Sequence, residues 1–343
     1  MDESKERMTD LGATKDQMRI PPDPRSFHLD GTDVRLITEL EANPRQTQSE
    51  IASKLALSRA TVQSRLRKLY KARIIRTVAV ADPIALGNRT CVLIGINALP
   101  GQMIAVAERL AKSTHVQYLM LCMGRFDILA FTLFRKRSDF LNFMVDNIGS
   151  LNGVNNVETM LTLEHVKLMG PLLSDNSKES YLGRIPEINL DSLDIGLIRE
   201  LETDATQNTR YLAKKLDTSQ STVLRKIQKL QDDGVIRIMT LIDPLALGYE
   251  GVASIGIRCN TADVNEAANL IASHRNVQTV AICTGRYDIV AWVIFKEFSD
   301  LSEFVTLELS KVRGLQFTET MTNLKIVKTS HKSVGYDMPL PSE

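Results

Sequence analysis

The chain has 343 residues, 43% of them hydrophobic, with 42 Lys and Arg against 41 Asp and Glu, so it is long enough for two or more domains with buried cores. No apolar run approaches the roughly 20 residues that a bilayer-spanning helix requires. The charged start, MDESKERMTD, does not read as a signal peptide, and a cytoplasmic location with no membrane contact is expected. Cys91, Cys122, Cys259 and Cys283 form no CxxC pair, and His28, His115, His165, His274 and His331 are scattered. Reduced, buried thiols are expected, with no metal and no cofactor. Charge is segregated along the chain: residues 45–76 hold nine basic side chains against one acid, residues 206–237 hold seven against three, and the remainder is net acidic. One-signed clusters of this kind attract phosphates.

Residues 1–27 are polar and contain Pro21, Pro22 and Pro24, which reads as a disordered leader. At Asp30 the pattern sharpens, with a capping aspartate ahead of Leu36, Ile37 and Leu40 and a stop at Asn43-Pro44. Thr47 or Gln48 opens a second helix carrying Ile51, Ala52 and Leu55. Ala56-Leu57 makes a corner, and Ser58 caps a third helix whose Val62, Leu66 and Leu69 share one face. Three short helices joined in this way predict a helix-turn-helix domain over 28–80.

The period then changes. Thr90–Ala98 reads as a strand, and 102–112 as a helix with Ile104, Ala107, Leu110 and Ala111 inward. Strands are expected over 116–122 and 126–134, either side of a Met123-Gly124-Arg125 turn. A second helix, capped by Ser138, and a last strand over 154–166 follow. This order, β-α-β-β-α-β, predicts a ferredoxin-like domain over 81–169 with its helices on one face of an antiparallel sheet.

After a linker at 170–188 the whole pattern recurs. Residues 28–169 align with 189–330 without a gap, and 48 of the 142 pairs are identical. A second helix-turn-helix domain (189–241), a second ferredoxin-like domain (242–330) and a polar tail (331–343) are therefore expected, giving an α+β fold that alternates two winged or ribbon-extended helix-turn-helix domains with two ferredoxin-like βαββαβ sensor domains.

The segments LDGTDVRLITEL and LDSLDIGLIREL, SRATVQSRLRKL and SQSTVLRKIQKL, DPIALG and DPLALG, and GRFDI and GRYDI occur in this order twice, and each half resembles a regulator of the Lrp/AsnC, or feast/famine, family. The resemblance implies DNA-binding heads joined to domains that dimerise and sense small molecules, usually amino acids. It also implies a homo-oligomer built from such pairs, with effectors held where dimers meet. The tandem arrangement departs from the usual single unit. So does Arg73, which stands where the second repeat has Gly234 and the family usually has glycine.

Double-stranded DNA is the expected partner of the two third helices. In the first head Arg59, Thr61, Gln63, Ser64, Arg67 and Lys68 supply phosphate and base-edge donors; in the second the set is Gln220, Thr222, Arg225, Gln228 and Lys229. Because the outward residues differ between heads, the chain is expected to act as an intrachain pseudo-dimer on unequal half-sites. For a small-molecule effector the candidates are Gly124, Arg125 and Asp127 and their counterparts Gly285, Arg286 and Asp288, the aspartates receiving an α-amino group. Ordinary hairpin chemistry is the competing reading. No triad, metal set or phosphate loop points to an enzyme. The alternative retained is a fused enzyme like the sirohaem decarboxylases, which share this two-part architecture.

Overall fold

The computed structural model describes residues 27–83, 86–87, 90–174 and 189–329. The expected leader up to residue 26, most of the linker and the tail lie outside them. The first head consists of α1 (Gly31–Ala42), α2 (Gln48–Leu55) and α3 (Arg59–Lys71). Asp30 accepts the N–H groups of Thr32 and Asp33, Thr47 that of Glu50, and Ser58 that of Thr61. These bonds satisfy donors that a first helical turn leaves without partners. Leu36, Ile37 and Leu40 close on Ile51, Ala52, Leu55, Val62, Leu66 and Leu69. The second head repeats this with α6 (Ser192–Thr203), α7 (Thr209–Lys215) and α8 (Gln220–Asp232), capped by Asp191, Asn208 and Ser219.

Two corners demand left-handed backbone. Between the second and third helices it is taken by Ala56 (φ 54°) and Asp217 (φ 49°), and after the third helix by Arg73 (φ 58°) and Gly234 (φ 72°). Arginine thus adopts the conformation for which the other repeat uses glycine, at a cost of about 1 kcal/mol.

Beyond the heads, β1 (Ile75–Ala81) pairs antiparallel with β6 (Ile236–Ile242), and Val78 lies opposite Met239. Those two residues are equivalent in the repeats, so an approximate two-fold axis passes between them. Each strand also packs on the other repeat's helices: Ile242 is buried with the first head, Ala79 and Ala81 with the second. This explains why six of the seven β1 residues are buried rather than alternating.

The first sensor unit is β2 (Thr90–Ala98), α4 (Met103–Ala111), β3 (Val116–Met123), β4 (Ile128–Phe134), α5 (Arg137–Asn142) with a wider helical turn over Phe143–Ile148, and β5 (Val154–Lys167). The second is β7 (Gly251–Cys259), α9 (Val264–Ser273), β8 (Val277–Thr284), β9 (Ile289–Phe295), α10 (Phe298–Glu303) and β10 (Leu315–Thr329). Within each unit the four strands form a ferredoxin-like sheet, and the sheets join edge to edge, β5 to β8 and β10 to β3, into one closed barrel. Closure removes the exposed edges that each sheet would have alone. Leu93, Met120, Phe126, Leu129, Met160, Tyr287, Val290 and Met321 fill the interior. α4 and α9 cover separate outer cores.

Three details differ from the sequence reading. The inward stripe of α4 is Val106, Ala107 and Leu110, with Met103 packed beside it, while Ile104 is 60% exposed. Ala107 and Leu110 face inward as expected, and the stripe is turned by roughly 60°, so that Val106 replaces Ile104 and Ala111 is half-buried. α5 is capped at Lys136, whose N–H donates to the Asp139 carboxylate at 3.1 Å, so Ser138 lies inside the helix. β4 starts at Ile128 rather than 126 because Phe126 turns into the barrel.

Candidate nucleic-acid interface and effector hairpins

On α3, Arg59, Gln63, Ser64, Arg67 and Lys68 are exposed together on the face opposite Val62, Leu66 and Leu69. Thr61 is half-buried and its hydroxyl lies 2.8 Å from that of Ser58, so it belongs to the cap as much as to the face. On α8, Gln220, Leu224, Arg225, Gln228 and Lys229 are exposed, and Thr222 repeats the cap contact with Ser219 at 2.8 Å. The second face is partly engaged by its own chain: Gln228 donates to Asp232 at 2.8 Å and Lys229 lies 3.7 Å from Asp233. Its outward donors are correspondingly fewer.

Arg65, absent from the expected set, ties α3 to the start of α1. Its guanidinium reaches Asp30 at 2.7 Å and Asp33 at 2.8 Å, the two residues of the α1 capping box. Lys226 does the same with Asp191 and Asp194, at 2.7 and 2.8 Å. The Arg65 contact holds the Asp30 carboxyl below its ordinary range. The signal was present in the sequence as a basic residue kept at one repeat position together with both aspartates. A depression lined by Phe27, Asp33, Thr61, Ser64, Arg65 and Lys68 lies beside this contact.

The effector candidates fall at the junction of the two sheets. Gly124 (φ 135°) and Gly285 (φ 117°) turn their hairpins with positive φ. A Cβ on Gly124 would meet the Thr320 carbonyl oxygen of the other repeat at 2.7 Å, and one on Gly285 the Thr159 carbonyl oxygen at 2.8 Å. These glycines are therefore required by the approach of the opposite sheet. Asp127 accepts the Ala98 N–H at 2.8 Å and Asp288 the Cys259 N–H at 3.0 Å, so both aspartates also brace their hairpins. Arg125 pairs with Glu158, while Arg286 grips Glu319 through two nitrogens at 2.6 and 2.7 Å and lies 4.0 Å from Glu158. Arg286 holds the Glu319 carboxyl down at about 2. The hairpins are not equivalent. Arg258 stands 3.4 Å from Asp288, whereas the matching residue near Asp127 is the neutral Asn97, which donates to the Arg125 carbonyl.

Comparison with known proteins agrees with this architecture. A winged helix-turn-helix DNA-binding model matches residues 29–76 and 190–237, and the Lrp/AsnC ligand binding domain matches 91–172 and 252–332. The chain is a tandem member of the Lrp/AsnC family of transcriptional regulators. Among similar proteins, an uncharacterised HTH-type transcriptional regulator of Pyrococcus furiosus is 36% identical over 142 residues, 41% of this chain and 95% of that protein. The HTH-type transcriptional regulator FL11 of Pyrococcus horikoshii is 33% identical over 146 residues, 42% of this chain and 94% of its own. One repeat thus has the length of a whole relative. Among solved structures, the siroheme decarboxylase NirDL covers 87% of this chain and 92% of its own at a TM-score of 0.60 and 16% identity, a likeness of fold alone. No helix among the described residues is long and apolar enough to cross a membrane, and no group of His, Cys, Asp or Glu among them has a metal-binding arrangement.

Proposed function

We propose that the chain is a sequence-specific DNA-binding regulator that works as an intrachain pseudo-dimer, placing two non-identical reading helices on one DNA duplex in the cytoplasm. The observation that carries this reading is the β1–β6 ribbon. Its pairing of Val78 with the equivalent Met239 relates the heads by an approximate two-fold axis, the symmetry with which helix-turn-helix dimers meet two half-sites. α3 brings Arg59, Arg67 and Lys68 as phosphate and base-edge donors; α8 brings Arg225 and Lys229. Binding should be specific and salt-dependent, and Lys68→Ala should weaken it on all sequences and lower the salt slope by about 1. Full-chain binding indifferent to both sequence and salt would contradict the reading.

The effector reading is that a small molecule with an amino group, an amino acid foremost, sits by the Gly124–Asp127 hairpin and biases DNA binding, with further pairing of copies into larger assemblies. Asp127 suits such a cation better than Asp288 because Arg258 already stands beside Asp288. Calorimetric titration of the twenty amino acids should give a ligand whose affinity falls in Asp127→Asn more than in Asp288→Asn. Equal binding by both variants and the native protein would remove the hairpins from the site.

The second reading, a sirohaem-decarboxylase-like enzyme, rests on the fold shared with NirDL over 87% of the chain. The regulator reading expects no change in the sirohaem absorption spectrum on adding the protein. A shifted spectrum with turnover would establish the enzyme.

A further inference from the structure

Leu224 has no counterpart among the first head's outward residues. It occupies the repeat position of Gln63, in the middle of the exposed face of α8, and is 53% exposed. Gln220 and Gln228 lie one turn to either side of it, at the i±4 positions, and Arg225 follows it. Its inward neighbours Val223 and Ile227 are buried in the head's own core, so Leu224 adds nothing to that core. On the adjoining helix the second head exposes Tyr211 where the first has Glu50, and its segment 206–237 is less basic than 45–76. The second head thus trades hydrogen-bonding capacity for apolar surface at the centre of the exposed face of α8, and an ionic group for an aromatic one on α7.

We propose that Leu224 reads a thymine in one half-site by contact with its C5-methyl group, while Gln63 at the matching place in the other head reads a base edge by hydrogen bonding. The inference rests on the DNA-binding reading above. In the major groove the thymine methyl is the apolar feature that distinguishes the four base pairs. A leucine there gains by covering a methyl and gains nothing from the donors and acceptors of the other pairs. Gln63, whose amide offers an NH2 group as donor beside a carbonyl oxygen as acceptor, suits adenine N7 and N6 instead. The two heads therefore differ in the kind of contact at the centre of the face, and not only in strength.

The test uses the full chain and a duplex selected from a random library, in which each thymine in turn is replaced by deoxyuridine, a change that deletes only the methyl. One position, in one half-site only, should lose about three- to fivefold in affinity, the worth of one covered methyl. Leu224→Ala should bind the thymine and deoxyuridine duplexes equally. Leu224→Gln should likewise lose the methyl dependence, and both variants, altered at an exposed site, should keep the native unfolding temperature. Full affinity for every deoxyuridine duplex, or methyl dependence that survives in both variants, would overturn the assignment of Leu224 while leaving DNA recognition intact. Absence of any sequence preference in the native protein would overturn both.

Discussion

Arg73 and His165 show how single residues depart from their repeat partners at a physical cost. Arg73 holds φ 58° where its counterpart is Gly234 at 72°. Arg73→Gly should therefore raise the thermal unfolding midpoint by the equivalent of up to about 1 kcal/mol, and Gly234→Arg should lower it by a similar amount. Equal midpoints for both variants and the native chain would show that neither position is strained. His165 is buried at the β5–β8 seam with its ring edge-on to Phe131 at 5.7 Å, and burial pushes its imidazole pKa down to about 4. Neutral in the fold, it takes up a proton on unfolding between pH 6.5 and about 4. Its contribution is absent above pH 6.5, and stability falls as the pH drops through that window. His165→Ile, the residue type at the equivalent Ile326, should flatten the fall between pH 7 and 5. An unchanged slope in denaturant unfolding would place the titration elsewhere. At this scale the capping residues Asp30, Thr47 and Ser58 were readable because side-chain oxygens ahead of an apolar period have one common use. Arg65 was missed because, within one copy, a basic residue on a basic face does not point to partners 32 and 35 positions earlier; only the recurrence of the same three positions in the second repeat does.

Among the elements, the strands that join the halves were the least legible. The boundaries of β2 and the existence of every sensor strand followed from period and turn residues, but nothing local in Ile75–Ala81 shows that it pairs with residues 161 positions on. Long-range pairing leaves a weak trace in sequence, here only the unbroken apolar run Val78–Ala81, whose residues are buried on both faces of β1. The α4 stripe was misread by one residue because Met103, Ile104, Val106 and Ala107 permit two apolar faces. Two lysines at one repeat position complete the seams: Lys167 donates to the carbonyls of Ala272 and His274 at the end of α9, at 3.0 and 3.2 Å, and Lys328 to the Ser113 carbonyl beyond α4, at 2.7 Å. A cation at a helix C-terminus satisfies carbonyls that the helix leaves open. Lys167, buried and bonded to two carbonyls, should be the more sensitive of the pair: Lys167→Met should lower the unfolding temperature more than Lys328→Met. The reverse order in thermal denaturation would contradict this.

For the whole molecule, each half completes the other. The β1–β6 ribbon, the barrel seams and the exchange of Ile242, Ala79 and Ala81 between head cores distribute the interface over both domain types. An inserted protease site between Ser174 and Asn189, once cleaved, should leave two fragments that co-migrate in gel filtration at the mass of the intact chain. Fragments that separate at micromolar concentration would show that the linker, not the interface, holds them. The duplication, and with it the expectation of an intrachain pair, was legible in the sequence; which strands join the copies was not, because equivalent edges permit pairing within one chain or between chains.

The interface holds α3 and α8 as a fixed, unlike pair, and in vitro selection of bound DNA tests most directly the proposal that both read it. The native chain should select a composite site of two dissimilar half-sites, and a chain carrying the sequence of residues 59–68 in place of 220–229 should select two copies of the first half-site. Selection of a palindrome by the native chain, or a selected site that stays the same when the second helix is replaced, would contradict two working heads.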